Sequence, residues 1–157
     1  MTDPSLTIRD ARAEDLPAIV AMLADDPLGA GRERVAEPLP PAYYVAFEEI
    51  ESDPRQRLLV AESDHTLVGT LQLSIIPNLT FGGRRRAQVE GVRIAGSARG
   101  RGVGRSLMEH AKAIAREQGC HLLQLTTNRQ RPEAVRFYER LGFVDSHHGL
   151  KLYLQSD

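Results

Sequence analysis

The sequence predicts a mixed α/β fold, one central sheet with helices packed on it. Two observations carry this reading. Apolar residues recur with a period of two in some segments and of three to four in others. These segments run in the order strand, helix, helix, three strands, helix, strand, helix, strand, so that two strand–helix–strand units follow a meander.

Residues 5–11, SLTIRDA, read as the first strand. In AEDLPAIVAMLADD, Leu16, Ile19, Val20 and Leu23 fall on one helical face. The Pro- and Gly-rich stretch 27–41 reads as a loop, and AYYVAFEEIES as a second helix stopped by Asp53-Pro54. RLLVAES and TLVGTLQLSIIP are two strands joined by the tight turn SDH, and NLTFGG is a loop. RRAQVEGVRIA is the fourth strand, followed by GSARGRGVG. Val103, Leu107, Ala111 and Ile114 then share a helix face, and Gly119 caps that helix. CHLLQLTT is the fifth strand, and RPEAVRFYERLG is a helix with Pro132 in its first turn, ended by Gly142. FVDSHHGLKLYLQ is expected to supply one or two closing strands turning at HHG. No repeat, low-complexity tract or linker interrupts the chain, so residues 1–157 are expected to form one domain.

Composition narrows the class. The chain is 41% hydrophobic and 26% charged, ordinary for a soluble domain that buries a core without staples. No apolar run approaches the roughly 18 residues of a membrane span, and MTDPSLTIRD has neither a basic start nor an apolar signal core. Cys120 is the single cysteine, which excludes an intrachain disulfide and a thiolate cluster. A cytosolic protein is expected. The net charge of −1 hides an asymmetry. Residues 10–64 carry 13 acids against 5 arginines, whereas residues 84–105 carry 7 arginines against 1 acid. Arginine outnumbers lysine 18 to 2, so part of this pattern is compositional bias. A basic patch beside a glycine-rich turn still points to an anionic ligand. The acidic first third suits a cationic one.

The glycine-rich turn is RGRGVGRSLMEHA, residues 99–111. A strand, a glycine turn and a helix make an anion site, because the first helical N–H groups have no partner and the helix dipole adds positive potential. Gly100, Gly102 and Gly104 would let a diphosphate approach the backbone, and Arg99, Arg101 and Arg105 would add charge. The spacing is G-x-G-x-G, not the G-x-G-x-x-G of the dinucleotide fingerprint, and GVGRS lacks the lysine of a nucleotide P-loop. Coenzyme A is the third reading.

Arg99-x-x-Gly102-x-Gly104 resembles the Q/R-x-x-G-x-G/A signature of the GNAT superfamily of acyl-CoA-dependent N-acyltransferases. VRIAGSARGRGVGRSLMEHA is similar to that family's strand, pyrophosphate loop and helix, and AVRFYERLGF to its later A-x-x-x-Y-x-x-x-G-F helix. The resemblance covers about residues 57–154, and the first 56 fit the family's opening strand and two helices. It implies a mostly antiparallel mixed sheet of six or seven strands, splayed between the fourth and fifth, with about four helices on both faces. It implies acetyl-CoA as co-substrate and no metal. It places backbone groups of Val92, Arg93 and Ile94 on the pantetheine arm, and the loop from Arg99 through Gly100, Arg101, Gly102, Val103 and Gly104 to Arg105 on the diphosphate. Tyr138 falls on the tyrosine that often protonates the departing thiolate. Many members have Asn seven residues before that tyrosine; here the position is Arg131, expected to contact the coenzyme, while Asn128 lies three residues too early. R-x-x-A-x-R-F-Y of this kind resembles some small-molecule acetyltransferases.

Transfer to an amine by direct attack needs a base for the ammonium, donors for the thioester carbonyl and an acid for the thiolate. Glu90 is the candidate base. By strand periodicity Gln88, Glu90, Val92 and Ile94 share one face, which sets Glu90 just upstream of the pantetheine-binding backbone. Gly91 would permit a bulge that opens the sheet. The plain alternative is a solvent-facing or salt-bridged glutamate, with Glu48 and Glu49 as reserve bases. Tyr138, beside Phe137 and Leu141, could equally be core packing. His147 and His148 are adjacent, so in a strand they would point to opposite faces and not form a metal pair. Cys120 reads as an inert core thiol. GGRRR lacks the aromatic platform of a nucleic-acid site. The expected function is therefore acetyl transfer from acetyl-CoA to a primary amine of a small molecule, with no membrane or nucleic-acid partner. The alternatives are protein N-termini or lysines as acceptors, or a non-catalytic acyl-CoA-binding regulatory module. The acceptor and the oligomeric state, a homodimer among the options, are left open.

Overall fold

The computed structural model describes residues 5–155, and its five strands form one sheet in the order β1-β2-β3-β4-β5. β1 (Thr7–Asp10), β2 (Gln56–Ser63), β3 (Thr66–Ile76) and β4 (Arg85–Ile94) are antiparallel neighbours, and β5 (Cys120–Leu125) joins β4 in parallel. A strand cannot pair in parallel without a crossover, and α5 (Val103–Glu117) provides it. The β2–β3 turn is built on Asp64 and His65, both at positive φ, as a two-residue hairpin requires.

Strand periodicity divides the core into two layers. On one face, Leu59, Leu71, Leu73, Ala87 and Val89 meet Val103, Leu107, Met108 and Ala111 of α5, with Phe137 and Tyr138 of α6 (Pro132–Arg140) against them. On the other face, Val60 meets Ile19 and Val20 of α1 (Leu16–Ala24) and Phe47 of α3 (Pro41–Ser52). Helices thus cover both faces, as the sequence implies.

The strand count differs from expectation. Five strands form, not six or seven, and residues 143–153 hold no regular element among the described residues. Leu150, Leu152, Tyr153 and Leu154 are exposed there. Alternation of side chains makes a strand only when a neighbour supplies ladder partners. Two short elements also appear in segments read as loops: the single-turn helix α2 (Pro27–Ala30) and α4 (Thr80–Gly83), a turn in which Phe81 and Gly82 take left-handed φ of 53° and 70°. α2 has a local cause, since the Asp26 carboxylate accepts from the Gly29 N–H and Pro27 occupies the first turn.

Much of the acidic first third is engaged by arginine. Asp10 pairs with Arg57, Asp15 and Glu62 with Arg9, Asp53 with Arg55, Asp25 with Arg99, and Asp26 with Arg131. It is therefore not the open cation-attracting field that its composition implies.

Candidate active site

β4 changes character half-way along. From Arg86 to Val89 it is paired on both sides, with β3 and with β5. Past Val89 the β5 ladder ends, while the β3 ladder continues to Ile94. Gln124 Nε2 donates to Gln88 Oε1 across the joint (2.9 Å) just before the strands part. The backbone from Glu90 to Ile94 therefore has no β5 partner. β5 itself ends at Leu125, the partner of Val89.

The bulge expected at Gly91 is present. Thr70 faces Arg93 and Gln72 faces Glu90, so the single residue Leu71 opposes both Gly91 and Val92. Gly91 takes φ +61°, a conformation that side chains with a Cβ rarely adopt. The extra residue reverses the strand's phase, and this corrects the shared face assigned to Glu90, Val92 and Ile94. Val92 and Ile94 pack on the α5 side. Glu90 lies on the α3 side, in a groove of about 390 Å³ with Glu49, Ile50, Asp53, Gln56 and Gln72. Arg93 comes to the side of α1 and α2, where Asp26 meets it. Glu90 is exposed, consistent with a base that solvent and an amine can reach.

The glycine loop follows as a short turn, Gly96–Ala98, anchored by buried Ala98. Gly102 is the N-cap of α5 at φ +81°. The first intrahelical bond runs from the Ser106 N–H to the Gly102 carbonyl (3.0 Å), which leaves the N–H groups of Val103, Gly104 and Arg105 ahead of the helical ladder. These donors, at the positive end of a 15-residue helix, fit a diphosphate. Gly104 also has a packing reason to be small. A Cβ there would sit 3.0 Å from Phe137 Cζ and 3.5 Å from Ile94 Cγ1, so its small size lets α5 close on β4 and α6.

Tyr138 is packed edge-on against Phe137 and Phe143, with ring centroids 5.1 and 5.7 Å away. Burial pushes its hydroxyl pKa up, while the charges of Arg93 and Arg131 act in the opposite direction. It thus joins the packing and the electrostatics that the sequence presented as alternatives. Burial likewise raises the Cys120 thiol. His147 and His148 are exposed, and Ser146 Oγ lies 2.7 Å from His147 Nδ1. Among the described residues no group of three or more His, Cys, Asp or Glu is placed to hold a metal.

One functional candidate has no sequence signal of its own. Asp26 Oδ2 lies 2.6 Å from Arg131 Nη2 and 3.5 Å from Arg93 Nε. Burial works to raise the Asp26 pKa, but the Gly29 N–H and the charges of Arg131, Arg93 and Arg32 outweigh it and hold the carboxyl below its usual range. Asp-Pro marks a helix start and could have been read as a cap. Nothing local pairs it with a residue 105 positions later. Arg131, expected on the coenzyme, therefore has its guanidinium on this carboxylate.

Residues 16–143 match the profile of the Acetyltransferase (GNAT) family. A crystal structure described as a transcriptional regulator from Bacillus halodurans C-125 superposes with a TM-score of 0.93 at 51% identity, covering 95% of this chain and 99% of that one. A putative acetyltransferase from Agrobacterium tumefaciens str. C58 gives 0.79 at 31% identity over 94% and 99%. A glucosamine 6-phosphate N-acetyltransferase of Trypanosoma brucei brucei is 36% identical over 77 residues, 49% of this chain and 50% of that protein. The matched stretch thus spans half the length of that curated relative.

Proposed function

The chain belongs to the GNAT family of acetyltransferases, and from that premise we propose that it transfers an acetyl group from acetyl-CoA to a primary amine of a small molecule by direct attack. The observation that carries this is the open half of β4: a strand paired on one side only, leading into a helix N-terminus with open N–H groups. The backbone of Val92, Arg93 and Ile94 takes the amide groups of the pantetheine arm in place of β5. The N–H groups of Val103, Gly104 and Arg105 hold the diphosphate, and Arg99, Arg101 and Arg105 add positive charge. Glu90 removes a proton from the acceptor's ammonium, directly or through a water. The free amine attacks the thioester carbonyl, whose developing negative charge meets N–H donors of the open half of β4. As the C–S bond breaks, the Tyr138 hydroxyl gives its proton to the sulfur, and the proton that the attacking nitrogen sheds in becoming an amide restores the hydroxyl through a water. The charges of Arg93 and Arg131, which favour the phenolate left by donation, work against the burial that raises the Tyr138 pKa.

We read the acceptor as a small molecule that enters the open groove at Glu90. The Trypanosoma brucei brucei relative, named for a phosphorylated amino sugar, agrees with this. The regulatory alternative, a non-catalytic acyl-CoA-binding module, would keep the same glycine loop, and the name of the Bacillus halodurans protein agrees with it. Thiol release from acetyl-CoA with a panel of amines tests the reading: amine-dependent release is expected, and its absence across the panel would remove the enzyme reading. Acetyl-CoA is also expected to raise Tm, by about 2.7 kcal/mol of stabilisation at a hundredfold excess over Kd. Gly102→Asp, which adds bulk and negative charge at the loop, is expected to abolish that rise.

A further inference from the structure

The groove at Glu90 provides for one charge on an acceptor. The bulge at Gly91 brings a second, opposite charge onto the same side of the sheet. Arg93 Nη1 donates to the Val92 carbonyl (2.8 Å) and its Nε lies 3.5 Å from Asp26 Oδ2, yet that buried Nε has no hydrogen-bond partner. Arg131 Nη2 takes the same carboxylate oxygen at 2.6 Å. Arg32 adds a third positive charge near both Asp26 and Arg93. One carboxylate, itself also bound to the Gly29 N–H, thus meets two guanidiniums, with a third positive charge nearby. The Arg93 and Arg131 side chains are only 17% and 22% exposed, so solvent screens their repulsion weakly.

A purely structural role explains one of these arginines. Arg131 with Asp26 ties the start of α6 to the start of α2. It does not explain why β4 places a second guanidinium beside the pair with a donor unused. Like charges held in a partly desolvated cluster with few counter-charges favour binding of an anion. The coenzyme's diphosphate already has its donors at the N-terminus of α5, beyond the end of the strand. Glu90 and Arg93 are three residues apart on one strand, roughly 10 Å or less given the bulge. That distance suits the two ends of a small acceptor.

We propose that Arg93 and Arg131, held by Asp26, bind an anionic group of the acceptor, a carboxylate or a phosphate, so that the substrate is a zwitterion with its amine at Glu90 and its acid at the arginines. This rests on the reading of the Glu90 groove as the acceptor side. The guanidinium fork matches both anions in two-point geometry.

The test has a binding arm and a kinetic arm. Inorganic phosphate is titrated into protein saturated with coenzyme A, which fills the diphosphate loop. Binding is expected, and Arg131→Gln should weaken it about tenfold or more, the value of a charge-assisted hydrogen bond. Arg131→Lys, which keeps the charge and loses the fork, should weaken it less and serves as the folding control. No phosphate binding to the saturated protein, or binding unchanged in Arg131→Gln, overturns the proposal. In the kinetic arm, glucosamine 6-phosphate is compared with glucosamine, and β-alanine with its amide, to separate phosphate from carboxylate. At least one charged member should exceed its neutral partner about tenfold or more in kcat/KM. That preference should fall in Arg131→Gln while the KM for acetyl-CoA stays put. Equal use of charged and neutral partners overturns the proposal, and a rise in acetyl-CoA KM alone assigns the cluster to the coenzyme and overturns it too. If no amine is acetylated, the proposed function fails while the phosphate titration still decides the anion site.

Discussion

The two halves of β4 are built for different ends. Arg86–Val89 lies between two strands, and its inward residues Ala87 and Val89 are buried against α5. Glu90–Ile94 has a ladder on one side only, a bulge, and a carboxylate and a guanidinium on the face opposite α5. The first half is stabilised by burial and hydrogen bonds that are already complete. The second leaves backbone groups and charges incomplete, which a ligand can complete. In one ten-residue strand, complete and incomplete pairing meet at a single peptide.

The largest expected effect lies beyond the strand but depends on its open half. Tyr138→Phe keeps the ring packed on Phe137 and Phe143 and removes the proton, so kcat should fall about 100-fold with Tm nearly unchanged. The loss should shrink with a more acidic thiol leaving group. An equal loss with both leaving groups would make Tyr138 a positioning residue, and near wild-type rates would leave it a packing residue.

Adjacent substitutions test the division directly. Val89→Ala should cost about 2–3 kcal/mol in urea unfolding, because Val89 is almost fully buried. Glu90→Gln should stay within about 0.5 kcal/mol of wild type and instead lose turnover, most at acidic pH where the acceptor amine is most protonated. If Glu90→Gln matched wild-type turnover from pH 6 to 9, roughly the range in which amines gain protons, the base would move to Glu49 in the same groove or to water.

Gly104→Ala probes the hinge between the halves. A Cβ 3.0 Å from Phe137 Cζ must push that ring or α5 aside. A loss of about 1–2 kcal/mol is expected, with a raised KM for acetyl-CoA because the N-terminus of α5 moves. A stability loss with unchanged KM would separate packing from binding at this residue.

The smallest effect is a control at the opposite edge of the sheet. Asp15 is buried and its pKa is held below the usual carboxylate range chiefly by Arg9, against the cost of burial. A carboxyl with a depressed folded pKa stabilises above its unfolded value and loses that contribution as pH falls. Asp15→Asn should therefore cost about 1 kcal/mol at pH 7, and the gap to wild type should close as pH drops below about 3.8. Its kinetics should match wild type. Altered KM values would show that the open half of β4 is coupled to the distant edge.

The order of the elements, the glycine loop and the likeness to one family were legible in the residues themselves. Helical and strand periods are written in neighbours a few positions apart, and Gly102 must be glycine for a reason local to its own φ of +81°. Even the bulge was legible, because Gly91 interrupts an otherwise regular strand. What the bulge does to the face was not. A one-residue slip reverses every later side chain, so Arg93 joins Glu90 and Val92 leaves it, and only pairing with β3 reveals where the slip falls. What a Cβ at Gly104 would meet was not legible either, because Ile94 and Phe137 come from other elements. The Asp26–Arg131 pair joins two loops that only the closed sheet brings together. The last segment, 143–155, shows the reverse case: its alternating residues satisfy the local rule for a strand, yet without a partner ladder the described stretch forms none. Local conformation follows from torsional preference and burial pattern, which neighbouring residues determine. Faces, charge clusters and strand partners follow from contacts between distant residues, which the tertiary structure alone decides.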